Sequence, residues 1–338
     1  MKAIQITRPG EIGTVEIEKP EPRNGEVLVK LKYAGFCGSD LNTYLGKNPM
    51  VNLPVIPGHE ISAVIAETAA GTPELYVPGT PCTVNPYTNC GYCPSCRGGR
   101  PNACQFNQTL GIQRNGAMSE YIAVPWQKII PCADIPYKHI ALVEPMSVGF
   151  HAVSRASVTD SDTVAVVGCG MIGLGAVVRA ALRGAAVAAI DIDDKKLALA
   201  KRLGAKHTVN SRTEDVGAAL REIAGGFGAD VVIEAVGSPA TYRMAVNEAA
   251  FAGRVVCIGY AKSEVSFETK YFVMKELDIR GSRNAMPEDF RAVIEYLKRG
   301  TCPADELITK VYLPEQAHEA LEFWKSDPGN VFRILMEF

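Results

Sequence analysis

The sequence predicts an α/β chain of two domains, a β-barrel-type domain followed by a doubly wound parallel-sheet domain with helices on both faces. Three observations predict it. Up to about residue 145, short β-like runs are separated by Gly and Pro, with turn signals every ten or so residues. Beyond about residue 150, fully apolar runs alternate with helix-spaced segments, the pattern of a parallel sheet buried on both sides. Between the first of those runs and the first helix stands a glycine turn, Gly168-Cys169-Gly170-Met171-Ile172-Gly173.

In chain order, Val27-Leu28-Val29-Lys30-Leu31, Ile61-Ser62-Ala63-Val64-Ile65 and Tyr121-Ile122-Ala123-Val124 are the clearest strands of the first domain. This domain carries an insert at residues 89–104. In the second, Val164-Ala165-Val166-Val167 and Val187-Ala188-Ala189-Ile190 are continuous apolar strands. They enclose a helix over Ile172 to Leu182, and a second helix runs from Lys195 to Leu203 before Gly204. Thr208-Val209, Val231-Val232-Ile233 and Val255-Val256-Cys257-Ile258 follow at intervals that leave room for helices. Helix-like Glu288 to Lys298 and Gln316 to Lys325 then precede a last strand, Val331 to Met336. The expected divisions are residues 1–148, residues 149–284, and a return segment 285–338 that packs on the first domain.

The 338 residues are 47% apolar and 21% charged, with a formal net charge of −2 and no long run of one sign. That leaves no electrostatic footprint for nucleic acid or an anionic membrane. Met1 to Arg8 alternates like a strand and has no signal-peptide core. The apolar segment Val164 to Val178 stops at Arg179, short of the roughly 20 residues a spanning helix needs. Ten cysteines without a signal peptide imply thiols and metal ligands in a reducing compartment, so a cytoplasmic protein is expected.

Cys37 in Gly35-Phe36-Cys37-Gly38-Ser39-Asp40 and His59-Glu60 after Pro57-Gly58 place a thiol, an imidazole and a carboxylate on stiff turns. They suit zinc. They equally suit a partly buried histidine and a small buried cysteine. Cys90-x2-Cys93-x2-Cys96-x7-Cys104 is more specific. Four thiolates on a short Gly/Pro-rich loop close a tetrahedral structural zinc site, and the last gap does not match ferredoxin-type iron–sulfur spacing. The glycine turn follows a strand and opens a helix, and Asp191 ends the next strand about 20 residues on, where a carboxylate binds a ribose 2′-hydroxyl. NAD is therefore expected over NADP, with Lys195 and Lys196 close by in sequence.

These motifs, together with Leu142-Val143-Glu144-Pro145, resemble the zinc-dependent medium-chain dehydrogenase/reductase (alcohol dehydrogenase) family over essentially the whole chain. The likeness is to its sorbitol, threonine and L-galactonate dehydrogenase branch. The resemblance implies a GroES-like catalytic domain and a Rossmann cofactor domain. It implies a catalytic zinc on Cys37, His59 and Glu144, with Glu60 a ligand or an adjacent shuttle, and a structural zinc on Cys90, Cys93, Cys96 and Cys104. Ser39 matches the hydroxyl that relays the substrate proton. Many relatives have a histidine where Asn42 stands, and an amide takes up no proton at neutral pH, so water or Tyr44 is the candidate replacement.

The same resemblance assigns Gly168, Gly170, Met171, Ile172, Gly173, Asp191, Val236, Ile258, Ser282 and Arg283 to the cofactor. Arg283 either holds a sugar hydroxyl or carboxylate or pairs with Glu288 or Asp289; Arg114 is a second candidate of that kind. Expected partners are a small polyol or sugar-acid substrate and further copies of the chain, as a homodimer or homotetramer. The expected activity is NAD-dependent oxidation of a secondary alcohol. A threonine-type hydroxy amino acid dehydrogenase, a non-catalytic NAD-binding protein and a zinc-free reductase are the alternatives.

Overall fold

The computed structural model describes residues 1–338. The chain packs as two units, Met1–Glu144 with Met286–Phe338, and Pro145–Ala285. Strands are numbered along the chain. The first unit opens with the antiparallel hairpin β1 (Lys2–Arg8) and β2 (Glu11–Glu16). It continues with β3 (Glu26–Phe36), β4 (Glu60–Thr68), β5 (Pro81–Val84), β6 (Tyr121–Pro125) and β7 (Ile129–Pro131). The second unit holds β8 (Thr163–Val167), β9 (Ala186–Asp191), β10 (His207–Asn210), β11 (Ala229–Glu234), β12 (Ala249–Cys257) and β13 (Asp278–Gly281). The chain then returns to the first unit with β14 (Lys310–Tyr312) and β15 (Ile334–Glu337).

In the first unit β3 is the organising strand. Eleven residues long, it pairs antiparallel with β4, β6 and β15, within the order β14-β15-β3-β4-β5-β7. Register shifts between Leu28 and Val29 and between Leu31 and Tyr33 bulge the β3–β4 ladder, and bulges bend and twist a sheet. One side of the sheet is filled by Val27, Val29, Leu31, Ile61, Ala63, Ile65 and Val84. A separate cluster joins Ile4, Ile6 and Phe36 to Leu321, Trp324 and Ile334, so the last 50 or so residues seal the N-terminal hairpin. The helices Pro287–Lys298 and Ala317–Ser326 lie in this returning segment.

The second unit is a six-stranded parallel sheet in the order β10-β9-β8-β11-β12-β13. The order reverses at β8, which makes the C-terminal end of β8 the topological switch point where such sheets bind ligands. Its central strands are rich in apolar residues because both faces are covered; Val164, Ala165 and Val166 of β8 are wholly buried. The helix Met171–Leu182 crosses the helix Val143–Ala156 closely: a Cβ on Gly175 would come within 2.7 Å of the Met146 carbonyl oxygen. No helix is long and apolar enough to cross a membrane.

Candidate active site

Two turns of the first unit carry the chemistry. The first ends β3: Cys37 caps the helix Gly38–Tyr44, and the Asp40 carboxylate accepts the Cys37 backbone N–H at 2.8 Å. The same carboxylate receives a longer contact, 3.4 Å, from the Gly58 N–H. Asp40 therefore ties the cysteine turn to the second one, Pro57-Gly58, which leads into His59 and β4. Gly58 has φ +99°, a conformation that costs glycine little and other residues much.

The ligand atoms of Cys37, His59 and Glu60 all lie within 4.8 Å of one another. His59 and Glu60 are 5% and 0% exposed. The His59 Nδ1 and both Glu60 carboxylate oxygens are buried with no hydrogen-bond partner, an arrangement that is rare unless an ion or another partner belongs there. Arg333 approaches Glu60 Oε2 at 3.0 Å through Nε, without the alignment of a hydrogen bond, while its Nη1 donates to the Phe36 carbonyl at 2.8 Å.

Glu144 is placed differently. In the first turn of the helix Val143–Ala156, it accepts a short hydrogen bond from the Tyr87 hydroxyl. Its charge is felt at His59, yet it lies outside the tight group of three. Of the two expected carboxylates, a ligand Glu144 and a Glu60 that is a ligand or an adjacent shuttle, Glu60 is the one that converges with Cys37 and His59. Tyr87, itself buried against Phe290, restrains Glu144 by that hydrogen bond.

Burial pushes the Cys37 thiol up, but the charge and hydrogen bond of His59 outweigh it, and the net direction is down. Burial opposes charge on His59, and the Cys37 and Asp40 charges and the Glu144 charge carry it well above its ordinary value. Thiolate and imidazolium hold each other charged. Burial pushes Glu60 well up against the pull of Arg333, and raises Glu144 and Asp40. Four acidic groups thus face one imidazole and one guanidinium. A divalent cation fits this excess, and its binding would release the imidazole proton.

The Ser39 Oγ is buried with no partner. Asn42 donates Nδ2 to the Gly38 carbonyl at 2.9 Å. Tyr44, a candidate replacement for the relay, is not available: its hydroxyl donates to Glu322 at 2.7 Å and lies 3.2 Å from His318 Nδ1, with the ring buried in the core of the returning segment.

The insert gathers Cys90, Cys93, Cys96 and Cys104 with all sulfurs within 4.8 Å, and every cysteine of the chain is free. Cys93 and Cys104 sulfurs stand 3.8 Å apart. That is too far for a disulfide and matches the roughly 3.8 Å edge of a tetrahedron with Zn–S near 2.3 Å. Backbone N–H groups of Cys90 and Phe106 point at the Cys104 sulfur, and that of Cys93 at Cys90. Hydrogen bonds from Ser95 and from the Cys96 and Gln105 backbone lower the Cys93 thiol to about 5. Gly91 and Gly99, with φ +82° and +72°, make the turns.

In the second unit the glycine turn lies at the end of β8. Gly168 has φ +94°, and a Cβ on Gly173 would collide with the Gly168 carbonyl. Gly170 caps the helix Met171–Leu182 with no side chain over its first turn and open space around it, so the first backbone N–H groups are free for phosphate oxygens. Asp191, at the end of β9, accepts the Cys169 N–H at 2.7 Å and those of Ile192 and Asp193 at 2.8 and 3.1 Å. Val236, half exposed, abuts Gly168, and Ile258 donates its N–H to the Glu234 carbonyl. The Ser282 Oγ is buried without a partner, and Arg283 follows it just after β13.

Known proteins match both units of the chain. Residues 23–136 match the model of the alcohol dehydrogenase GroES-like domain, and residues 172–299 that of the zinc-binding dehydrogenase domain. The L-galactonate-5-dehydrogenase of Escherichia coli is 36% identical over 92% of both chains. Among solved structures, an E. coli alcohol dehydrogenase, RspB, in complex with NADH superposes with a TM-score of 0.92 at 31% identity, covering 100% of this chain and 99% of that one. The galactitol-1-phosphate dehydrogenase of E. coli does so with a TM-score of 0.91 at 28% identity, covering 100% of both.

Proposed function

This chain belongs to the zinc-dependent alcohol dehydrogenase family, a class of NAD(P)-dependent oxidoreductases, and on that premise we propose that it oxidises a secondary alcohol of a polyol or sugar acid to the ketone with NAD as acceptor. The observation that carries the proposal is the convergence of Cys37, His59 and Glu60, whose imidazole and carboxylate atoms are buried without hydrogen-bond partners. A hexonate dehydrogenase and a sugar-alcohol phosphate dehydrogenase among its relatives support the substrate class.

In this reading Cys37 and His59 hold the catalytic zinc, with Glu60 the converging carboxylate and Glu144 the second carboxylate beside the same imidazole. Zinc bound there supplies Lewis-acid polarisation of an alcohol oxygen, bringing its hydroxyl pKa toward neutrality. NAD supplies the hydride acceptor. The rest is the work of the chain. Ser39 takes the hydroxyl proton on an oxygen that no protein group claims and passes it to water, because the Asn42 amide has no basic site for it. Asp40 fixes the two ligand turns against each other, Arg333 balances Glu60, and Tyr87 restrains Glu144. The N-terminus of the helix Met171–Leu182 receives the pyrophosphate, and Asp191 retains acceptor capacity for a ribose hydroxyl. Cys90, Cys93, Cys96 and Cys104 hold a second, structural zinc.

The experiment is NADH formation across hexonates, polyols and hydroxy amino acids, before and after zinc removal and re-addition. Turnover of hexonates or polyols that disappears with zinc and returns with it is expected. Turnover indifferent to zinc, or confined to hydroxy amino acids, would overturn the reading.

A further inference from the structure

Arg114 and Lys128 are two cations of the first unit with no carboxylate set against either. Arg114 lies in the loop from Gly111 to Gly116, closed by a 2.8 Å hydrogen bond from the Gly111 N–H to the Arg114 carbonyl. Both flanking glycines press on the turn that leads into His59. A Cβ on Gly111 would come within 2.5 Å of the Gly58 nitrogen, and one on Gly116 within 2.5 Å of the Pro57 carbonyl oxygen. Lys128 stands just before β7, where its carbonyl accepts the Asn85 N–H at 2.8 Å and its Nζ donates to Asn89 Oδ1 at 3.2 Å. The segment from Asn85 to Asn89 is tied to the Arg114 loop by the Tyr87–Thr109 bridge and by a 3.1 Å hydrogen bond from Leu110 to Pro86. Tyr87 is the residue that restrains Glu144. The two cations therefore flank the segment that reaches the candidate metal centre.

Their chemistry is unfinished. Arg114 is half-buried, its Nε buried with no partner. Lys128 has only the Asn89 amide oxygen, and burial followed by the charge of Arg114 lowers its pKa; burial alone lowers that of Arg114. Like charges in a partly desolvated setting repel more strongly than in water. An anion between them would relieve the repulsion and satisfy the buried N–H. The guanidinium fork suits an acid group with two or more oxygens, and lysine adds a point charge.

We infer that Arg114 and Lys128 form a subsite for the acidic end of the substrate, a carboxylate or a phosphate, next to the Cys37–His59–Glu60 cluster. This deepens the proposed function and rests on it for the molecule that carries the acid: the preferred substrates are acidic sugar derivatives, and neutral polyols bind without this contact.

The test uses the zinc-loaded full-length protein and three six-carbon ligands: L-galactonate, galactitol 1-phosphate and neutral galactitol. Calorimetry is run on the wild type and on Arg114→Met, Lys128→Met and Arg114→Lys, with NADH formation in parallel. Wild type is expected to bind an acid more tightly than galactitol. Either methionine variant should weaken that acid by roughly 10-fold or more, the scale of a lost charge-assisted hydrogen bond, and leave galactitol within a few-fold. Arg114→Lys should fall between. The acid with the larger loss identifies the anion as carboxylate or phosphate. Zinc content and melting temperature confirm folding, and if Arg114→Met does not fold, Lys128→Met decides alone. Equal weakening of all three ligands, no weakening of the acids, or wild-type preference for galactitol would each overturn the subsite. Acid binding sensitive to both residues without any NADH formation would instead sink the oxidation reading and leave the subsite standing.

Discussion

Gly35 and Glu60 are register partners across β3 and β4, and the Glu60 carboxylate fills the space a Gly35 side chain would occupy. The absence of one Cβ thus lets a wholly buried carboxylate lie flat against the sheet, facing Arg333 and within reach of Cys37 and His59. Gly35→Ala should displace Glu60 from Arg333. The expected result is a loss of about 1–3 kcal/mol of stability from overpacking and a fall in activity of roughly 10-fold or more, as for other groups that support metal ligands. Zinc analysis and turnover check it; wild-type values for both would remove Glu60 from the site.

The insert yields a different expectation. Cys93→Ser takes one thiolate from a set whose sulfurs are already within bonding range of one ion. Zinc should fall from about two to about one per chain, and the melting temperature by roughly 5 °C or more, because binding energy at such a site is folding energy. Protein that remains folded should keep most of its turnover. An unchanged metal content would refute the structural zinc.

Asp191 has two tasks that one substitution can separate. It caps the glycine turn through Cys169 and is the proposed ribose acceptor. Asp191→Ala should cost about 1 kcal/mol of stability for the orphaned N–H, raise the KM for NAD and narrow the preference for NAD over NADP. Stability lost with cofactor preference intact would confine Asp191 to the turn.

Tyr44 supplies a control on the proton path. Burial, then the hydrogen bond and charge of Glu322, push its phenol up to about 12. A group whose pKa is raised on folding contributes stability that is complete below its unfolded value, about 10, and is lost as pH rises through the folded value. Wild type should therefore lose stability between about pH 10 and 12 more steeply than Tyr44→Phe. The turnover profile between pH 6 and 9 should be the same in both; a displaced profile would return Tyr44 to the relay.

The parts of the fold and site that could be read from the sequence are those written in short spacings. Alternating apolar strands and helices announce a parallel sheet, and the G-x-G-x-x-G turn lies at its switch point. The four cysteines share one loop, so their spacing alone brings them together. Cys37 and His59 could be picked out as a pair because each sits in a stiff turn. What could not be read depends on distant partners. Arg333 reaches Glu60 from just before the last strand, and Tyr87 restrains Glu144 beside the same imidazole. Asp40 stands beside Cys37 in sequence, yet its carboxylate bridges two turns. No local pattern encodes such pairings; tertiary packing selects them. The steric demand at Gly35 is equally silent, since a glycine shows nothing in sequence of what it makes room for.

The loop between Gly111 and Gly116 separates two kinds of evolutionary freedom. Its ends are anchored on the backbone of the turn before His59 and tolerate no side chain. Ile112, Gln113, Arg114 and Asn115 are partly or fully exposed between those anchors. Gln113 and Asn115 accept the Thr109 and Ile56 N–H groups and belong to the framework, whereas exchange of Ile112 or Arg114 would leave the two anchors, and with them the seating of His59, in place. Substrate range and metal chemistry are then separately adjustable: the loop is a cassette, and its two glycines are the clips.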